Sequence, residues 1–296
     1  MTNKKDSNFQ KNFRCGYIAI IGRPNVGKSS LINKIVGKPI SITSRRRQTT
    51  RDCILGVSTN KNSQFIFVDT PGIESTGKFE RNRKLNALAT SIFEDVDLIL
   101  WVVEAKKIHL EDKLISSLLT KNKPIVVAIN KVDLATSNTE KKQMFDQVSF
   151  FASVEPKAIV PISVLKSFQI EELIAEIELL LPLQNKLFDE NYLTDKSMTF
   201  RSSELIREKI FRLVGDELPY SVSVNIERCS EKNIKNIIEI DASIIVNKKT
   251  HKPIIIGKNA TRIKQIRIDS TRPLNKLFDA NVDCNGHNVR ATCERC

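Results

Sequence analysis

Unbroken apolar runs recur through the N-terminal half of the chain. They are Tyr17-Ile18-Ala19-Ile20-Ile21, Phe65-Ile66-Phe67-Val68, Leu98-Ile99-Leu100-Trp101-Val102-Val103, Ile125-Val126-Val127-Ala128-Ile129 and Ala158-Ile159-Val160-Pro161-Ile162. Apolar runs without polar alternation predict strands covered on both faces, as in a parallel sheet. Helical spacing separates them, over residues 30–36, 113–120 and 170–181. Strand and helix in alternation predict right-handed crossovers and an α/β domain with a mostly parallel, doubly wound sheet. Periodicity lapses from 182 to 200, where a linker is expected. Helical spacing resumes over residues 204–211. Two-residue alternation follows in Ser221-Val222-Ser223-Val224-Asn225-Ile226-Glu227, with residues 239–246 as its partner strand. The expected organisation is a polar tail (1–16), an α/β domain (17–181), a linker (182–200), a smaller α+β domain (201–283) and a divergent C-terminal tail (284–296).

The chain has 296 residues, enough for two domains, and is 41% hydrophobic, as expected of a globular protein with a sizeable core. Its formal charge of +13 favours a polyanionic partner, either nucleic acid or an anionic membrane surface. No apolar run approaches a membrane span, and the polar N-terminus lacks the apolar core of a signal peptide. A cytoplasmic location is expected, with the six cysteines reduced.

Candidate chemistry sits at the ends of the predicted strands. Gly22-Arg23-Pro24-Asn25-Val26-Gly27-Lys28-Ser29 is a G-x-x-x-x-G-K-S loop between a strand and a helix. Backbone N–H groups and the helix N-terminus make such a loop an anion site. Lys28 is expected to reach the β- and γ-phosphates and Ser29 to ligate Mg²⁺. In phosphoryl-transfer switches a threonine in the following loop closes over Mg²⁺; Thr50 is favoured, with Thr49 second. Asp69-Thr70-Pro71-Gly72 ends the next strand, with Asp69 expected near Mg²⁺ and the Gly72 N–H at the γ-phosphate. Ile73 follows and cannot orient an attacking water, so intrinsic hydrolysis is expected to be slow or helped by another group. Asn130-Lys131-Val132-Asp133 ends a further strand. A fixed carboxylate, Asp133, can accept both N–H donors on one edge of guanine, and adenine offers no match. Asn130 can brace the loop, and the Lys131 stem can lie along the purine. A backbone N–H in Ser163-Val164 is expected at the guanine O6.

The set G-R-P-N-V-G-K-S, Q-T-T-R, D-T-P-G, N-K-V-D and I-S-V resembles the translation-factor-related GTPases, and within them the Era family of small-subunit assembly. The resemblance covers residues 17 to 283 and includes Lys38-Pro39-Ile40-Ser41-Ile42-Thr43-Ser44 and Glu217-Leu218-Pro219-Tyr220-Ser221-Val222. It implies GTP and GDP as ligands with Mg²⁺, and a potassium ion held by Asn25. An apolar Ile73 is typical of this group; Val164 departs from the more usual alanine. The resemblance also implies a type II KH domain that recognises the 3′ end of 16S rRNA. Its I-G-x-x-G-x-x-I core is matched by Ile256-Gly257-Lys258-Asn259-Ala260-Thr261-Arg262-Ile263. Residues 248–267 carry seven basic side chains and no acid. Gly257, Lys258, Asn259, Ala260, Arg262 and Lys264 are the candidate RNA contacts, with salt-dependent binding expected.

Ala260 stands where the family has its second glycine. Helical angles there cost little; a positive φ would weaken binding. Pro273 is expected to break the following helix unless it lies in the first turn. The tail beyond residue 283 shows no alternating apolar pattern, so the family's last strand is either truncated or replaced. Cys284, His287, Cys293 and Cys296 form C-x-x-H and C-x-x-C pairs whose short separation argues against zinc. The expected function is a GTP-hydrolysing switch in which closure of residues 44–52 and 72–83 alters the RNA domain, acting as a monomer. Three rivals remain: an RNA-binding scaffold that keeps GTP as a ligand, a GTPase with impaired RNA binding, and a GTPase peripheral to the inner membrane.

Overall fold

The structure is a computed structural model that describes residues 12–41, 54–69, 93–105, 108–119, 122–214, 222–230, 237–283 and 289–293. Thr49, Thr50, Thr70, Pro71, Gly72 and Ile73 lie outside the described residues, as do Cys284, His287 and Cys296. Residues 1–36 with 50–195 form one compact unit, and 37–49 with 196–296 form another.

Six strands build the sheet of the first unit: β1 (Arg14–Ile21), β2 (Ile54–Thr59), β3 (Ser63–Asp69), β4 (Leu98–Glu104), β5 (Ile125–Asn130) and β6 (Ala158–Pro161). Their order is β2-β3-β1-β4-β5-β6. All pairs are parallel except β2 with β3, an antiparallel edge. Helices α1 (Lys28–Val36), α2 (Leu110–Leu118), α3 (Asn138–Ala152) and α4 (Ile170–Leu180) alternate with the strands. Every residue of β3 and β5 is buried, which is why these strands read as continuous apolar runs. Trp101 of β4 meets Phe151 of α3 edge-on, with centroids 4.9 Å apart. The chain leaves β1 toward β3 on one side and β4 on the other, so the switch point of the sheet lies at the carboxyl end of β1. The apolar pattern did not indicate β2 or α3. Gly56 interrupts β2, and α3 fully buries only Gln147 and Phe151 among its described side chains.

The second unit contains α5 (Met198–Val214), β7 (Ser223–Cys229), β8 (Ile237–Val246), α6 (His251–Ile256), α7 (Thr261–Phe278), β9 (Asn281–Asp283) and β10 (Val289–Cys293). β8 is central. β7 pairs antiparallel on one side, while β9 and β10 pair parallel on the other, end to end. Leu205, Ile206 and Ile210 of α5 and Ile266, Leu274 and Leu277 of α7 pack on the sheet in one apolar core.

One expectation is overturned by this unit, and one open alternative is narrowed. Pro273 lies well inside α7 and does not end it. A proline removes one intrahelical hydrogen bond, but Ser270, Leu274 and Leu277 around it are buried and hold the helix on course. The tail also contributes a strand: residues 289–293 pair with 242–246 of β8. That ladder is made by backbone groups, so it forms without an alternating apolar pattern.

The stretch read as a linker forms no helix or named strand until α5 begins at Met198. Residues 182–195 are nevertheless fastened to the first sheet. Cys15 N donates to Pro182 O (3.1 Å), Gln184 N to Phe13 O (3.0 Å) and Val57 N to Leu193 O (2.8 Å). Gln64, fully buried in β3, is the main fastener. Its Oε1 accepts from Leu187 N (2.8 Å) and Phe188 N (2.9 Å), and its Nε2 donates to Phe188 O (2.8 Å). Replacing Gln64 with leucine orphans two backbone N–H groups and is expected to cost roughly 2–4 kcal/mol in urea unfolding. Amide exchange at Leu187 and Phe188 should accelerate in the same variant. Unchanged protection at both would overturn this account of the fastening.

Candidate functional site

The G-x-x-x-x-G-K-S loop runs from the end of β1 into α1. Its two glycines are demanded by space and by backbone angle. Gly22 has φ 145°, and a Cβ there would lie 2.2 Å from Val102 O. Gly27 has φ 106°, and a Cβ would lie 2.3 Å from Asn130 Nδ2. Asn25 holds φ 68°, a left-handed angle asparagine tolerates better than most residues. Val26 is fully buried and anchors the loop from below. Lys28 is also buried, and its Nζ donates to Gly22 O (2.9 Å) and Arg23 O (3.0 Å). The ammonium is thereby held against the loop's own carbonyls. Arg23 turns its side chain away from the loop: its Nε donates to both carboxylate oxygens of Asp112, each at 3.0 Å.

Asp69 ends β3, and the parallel register sets it beside Ile20 of β1. Ser29 Oγ donates to Asp69 Oδ2 at 3.1 Å. A hydroxyl and a carboxylate placed together at a loop rich in backbone donors are hard oxygen ligands, and they fit Mg²⁺ better than a softer metal.

Asn130 ends β5 with its side chain buried. Its Nδ2 donates to Val26 O (2.8 Å), and its Oδ1 accepts from Val164 N (3.1 Å). Lys131 takes φ 66°, which swings its side chain outward, and its Nζ pairs with Glu104 Oε1 at 3.1 Å. Val132 and Asp133 form a short 3₁₀ turn. Ser163 Oγ donates to Asp133 Oδ1, and Ser163 Oγ in turn accepts from Lys166 N (3.1 Å). The Asp133 carboxylate is thus oriented from the β6 side. The structure brings together residues 22–29, Asp69, residues 130–133 and residues 163–164 at one edge of the sheet. Sequence reasoning missed Asp112, Glu104 and the side-chain role of Ser163. Asp112 stands 89 positions from Arg23, and no local pattern links them.

In the second unit the candidate RNA loop joins α6 to α7. Gly257 has φ 73°, and a Cβ there would meet Arg262 Cγ at 2.8 Å and Arg262 N at 3.0 Å. Lys258, Asn259 and Lys264 are exposed. Arg262 is half-buried, and its Nη1 donates to Ile254 O (3.1 Å), so part of its guanidinium is engaged within the fold. Ala260 has φ 58°, left-handed and not helical. Asn259 is left-handed as well, at φ 53°.

Comparison with known proteins agrees with both halves. Residues 17–131 match the family described as a 50S ribosome-binding GTPase, and residues 217–291 match the KH domain. GTPase Era of Bordetella avium (strain 197N) is 42% identical over 271 residues, covering 91% of this chain and 90% of that protein. The chain belongs to the Era GTPase family. GTPase Era of Nitrosomonas eutropha, at 41% identity and the same coverage, agrees. Two solved Era structures are similar over the whole length. One is Era in complex with MgGDPNP and nucleotides 1506–1542 of 16S ribosomal RNA, at 33% identity, covering 95% of this chain and 94% of that one, with a TM-score of 0.83. The other is an Aquifex aeolicus Era variant bound to GDP·AlF4⁻, at 33% identity, 95% coverage of both chains and a TM-score of 0.83. The KH match extends into β10, so in this family member the domain takes in part of the segment read as a divergent tail.

The left-handed angle at Ala260 has an energetic consequence. It costs an L-residue roughly 1–2 kcal/mol, part of which glycine returns as unfolded-chain entropy. Ala260→Gly is therefore expected to stabilise the protein by about 0.5–1 kcal/mol in denaturant unfolding. A loss of stability would show that the backbone at this position is not the constraint.

Proposed function

We propose that this Era-family chain is a GTP-hydrolysing switch that binds the 3′ end of 16S rRNA through its KH domain and assists small-subunit maturation. The observation that carries the reading is the convergence of the phosphate loop, Asp69, the N-K-V-D turn and Ser163-Val164 at the carboxyl ends of β1, β3, β5 and β6. The relatives supply its context: one Era was solved with MgGDPNP and an rRNA segment, another with GDP·AlF4⁻.

In this reading the backbone of residues 22–29 and Lys28 hold the phosphates. Ser29, Thr50 and, through water, Asp69 hold Mg²⁺, which supplies charge neutralisation between the phosphates. Asn25 would hold a potassium ion, which would offset charge developing on the phosphates. Asp133, oriented by Ser163, accepts from the guanine edge; Lys131 lies along the ring, and the Val164 region meets O6. A water oxygen attacks the γ-phosphorus, the bond to the β–γ bridging oxygen breaks, and GDP leaves with the proton passing to phosphate. Ile73 supplies no base, so turnover is slow. Gly257, Lys258, Asn259, Ala260, Arg262 and Lys264 form the RNA contact. The chain acts as a cytoplasmic monomer, and its +13 charge supports weak contact with anionic membrane. Among the described residues no helix is long and apolar enough to cross a membrane.

A second reading, a GTPase with weakened RNA affinity, is favoured by one observation: Ala260 carries a Cβ at a left-handed position of the clamp. One experiment separates the two. A short single-stranded RNA copying the 16S 3′ end is titrated against the protein with a GTP analogue and with GDP, beside Ala260→Gly. Tighter binding with the analogue supports the coupled switch. Absence of binding in both states, restored by glycine, supports the second reading.

Potassium at Asn25 is tested separately. GTP turnover should be faster in potassium than in sodium, and equal rates would remove potassium from the site.

A further inference from the structure

Asp112 lies at the start of α2, outside every motif of the nucleotide site. Its side chain is 1% exposed. The carboxylate has two tasks. Oδ2 accepts from His109 N (2.9 Å), as half of the capping box that starts α2. Both oxygens also receive Arg23 Nε at 3.0 Å. Arg23 in turn is the second residue of the phosphate loop, and its carbonyl accepts from the Lys28 ammonium at 3.0 Å. A direct path therefore runs from the first turn of α2, through one carboxylate and one guanidinium, to the backbone against which Lys28 is held.

We infer that Asp112 is a positioning residue of the phosphate site, acting through the Arg23 side chain to fix the loop backbone around Lys28.

Stability alone is a poor account of this pair. Taking two charges out of water costs several kcal/mol per ion, and apolar replacements of a buried pair are often neutral or better. Desolvation pushes the Asp112 carboxyl above its ordinary range, outweighing the His109 N–H and the Arg23 guanidinium, which act the other way. The guanidinium is also incompletely satisfied, since Arg23 Nη2 is buried with no hydrogen-bond partner among the described residues. A costly, imperfectly satisfied pair under a ligand loop is what a geometric constraint looks like. The benefit is registry. The loop must place its N–H groups and Lys28 closely around phosphate oxygens, and small displacements there are expensive. An Nε–H shared by both oxygens of a carboxylate anchored to a helix start restrains Arg23 from outside the phosphate cradle.

The inference rests on the phosphate-loop reading, and its test keeps the two apart. Full-length wild type, Asp112→Asn, Arg23→Met and the double variant are compared. Affinities for GTP and GDP come from a fluorescent guanine nucleotide, kcat and KM from phosphate release, and stability from thermal unfolding. The Asp112→Asn change keeps an acceptor for His109 N, so α2 retains its cap. Each variant is expected to bind both nucleotides roughly tenfold more weakly and to lose kcat. Preference for guanine over xanthine nucleotides should stay unchanged, because the base turn is untouched. The double variant should lose no more than either single one, since both act on the same link. It should also melt near the wild type, because both charges are gone together.

Wild-type affinity and kcat in the double variant would overturn the inference. Additive losses would overturn the route through Arg23, and a loss of binding that only tracks a lower melting temperature would reduce the pair to a structural role. Should the double variant not fold, Asp112→Asn decides by the same affinities. Failure of the wild type itself to bind GTP would instead overturn the phosphate-loop reading.

Discussion

One buried amide holds the nucleotide edge of the first unit together. Asn130 gives a hydrogen bond to Val26 O in the phosphate loop and accepts one from Val164 N after β6. Its own carbonyl accepts Ala105 N at 2.9 Å, beyond the end of β4. Three loops from three strands meet on a single residue. The same contact fixes Gly27, because any Cβ there would strike the Asn130 amide. A buried amide must be satisfied at both ends or it costs more than it contributes. That requirement sets the relative height of the G-x-x-x-x-G-K-S loop and the N-K-V-D turn, so their spacing is built into the fold.

Around that centre the site is assembled from buried and half-buried polar groups, each fixed by another. Lys28 leans on two carbonyls, Ser29 on Asp69, Asp133 on Ser163, Lys131 on Glu104 and Arg23 on Asp112. The apolar sheet makes this possible. β3 and β5 are buried on both faces and present their chemistry only at their carboxyl ends, as Asp69 and Asn130. The strand registers then bring groups far apart in sequence to neighbouring positions. Rigid strands below and polar pairs above are the physical form of preorganisation.

The second unit works by a different constraint. Its core is the apolar face of β8 under α5 and α7, and its candidate RNA loop is a tight turn between two helices. Gly257 is required because the Arg262 side chain and backbone occupy the space of a Cβ. Ala260 takes a left-handed angle without glycine's freedom, so this loop stores strain. Packing of Ile255 and Ile266 on either side outweighs the local preference of one alanine.

The sequence alone determined the parallel-sheet class and the two-part organisation, and it marked the candidate phosphate, metal and base motifs. These signals are local. A strand buried on both faces is continuously apolar, and a phosphate loop needs its glycines and lysine at fixed spacing. The KH core was legible for the same reason, despite its missing glycine. Only the tertiary structure decided the rest. The antiparallel edge β2, the weakly apolar α3 and the strand after residue 288 owe their form to neighbours and not to their own pattern. Pro273 stays helical because Leu274 and Leu277 are buried. The fastening of residues 187 and 188 by Gln64, the pairing of Asp112 with Arg23 and the left-handed angle at Ala260 depend on groups distant in sequence or on packing. A chain records its local preferences in its residues, but which buried donor finds which acceptor is settled only when the strands are laid side by side.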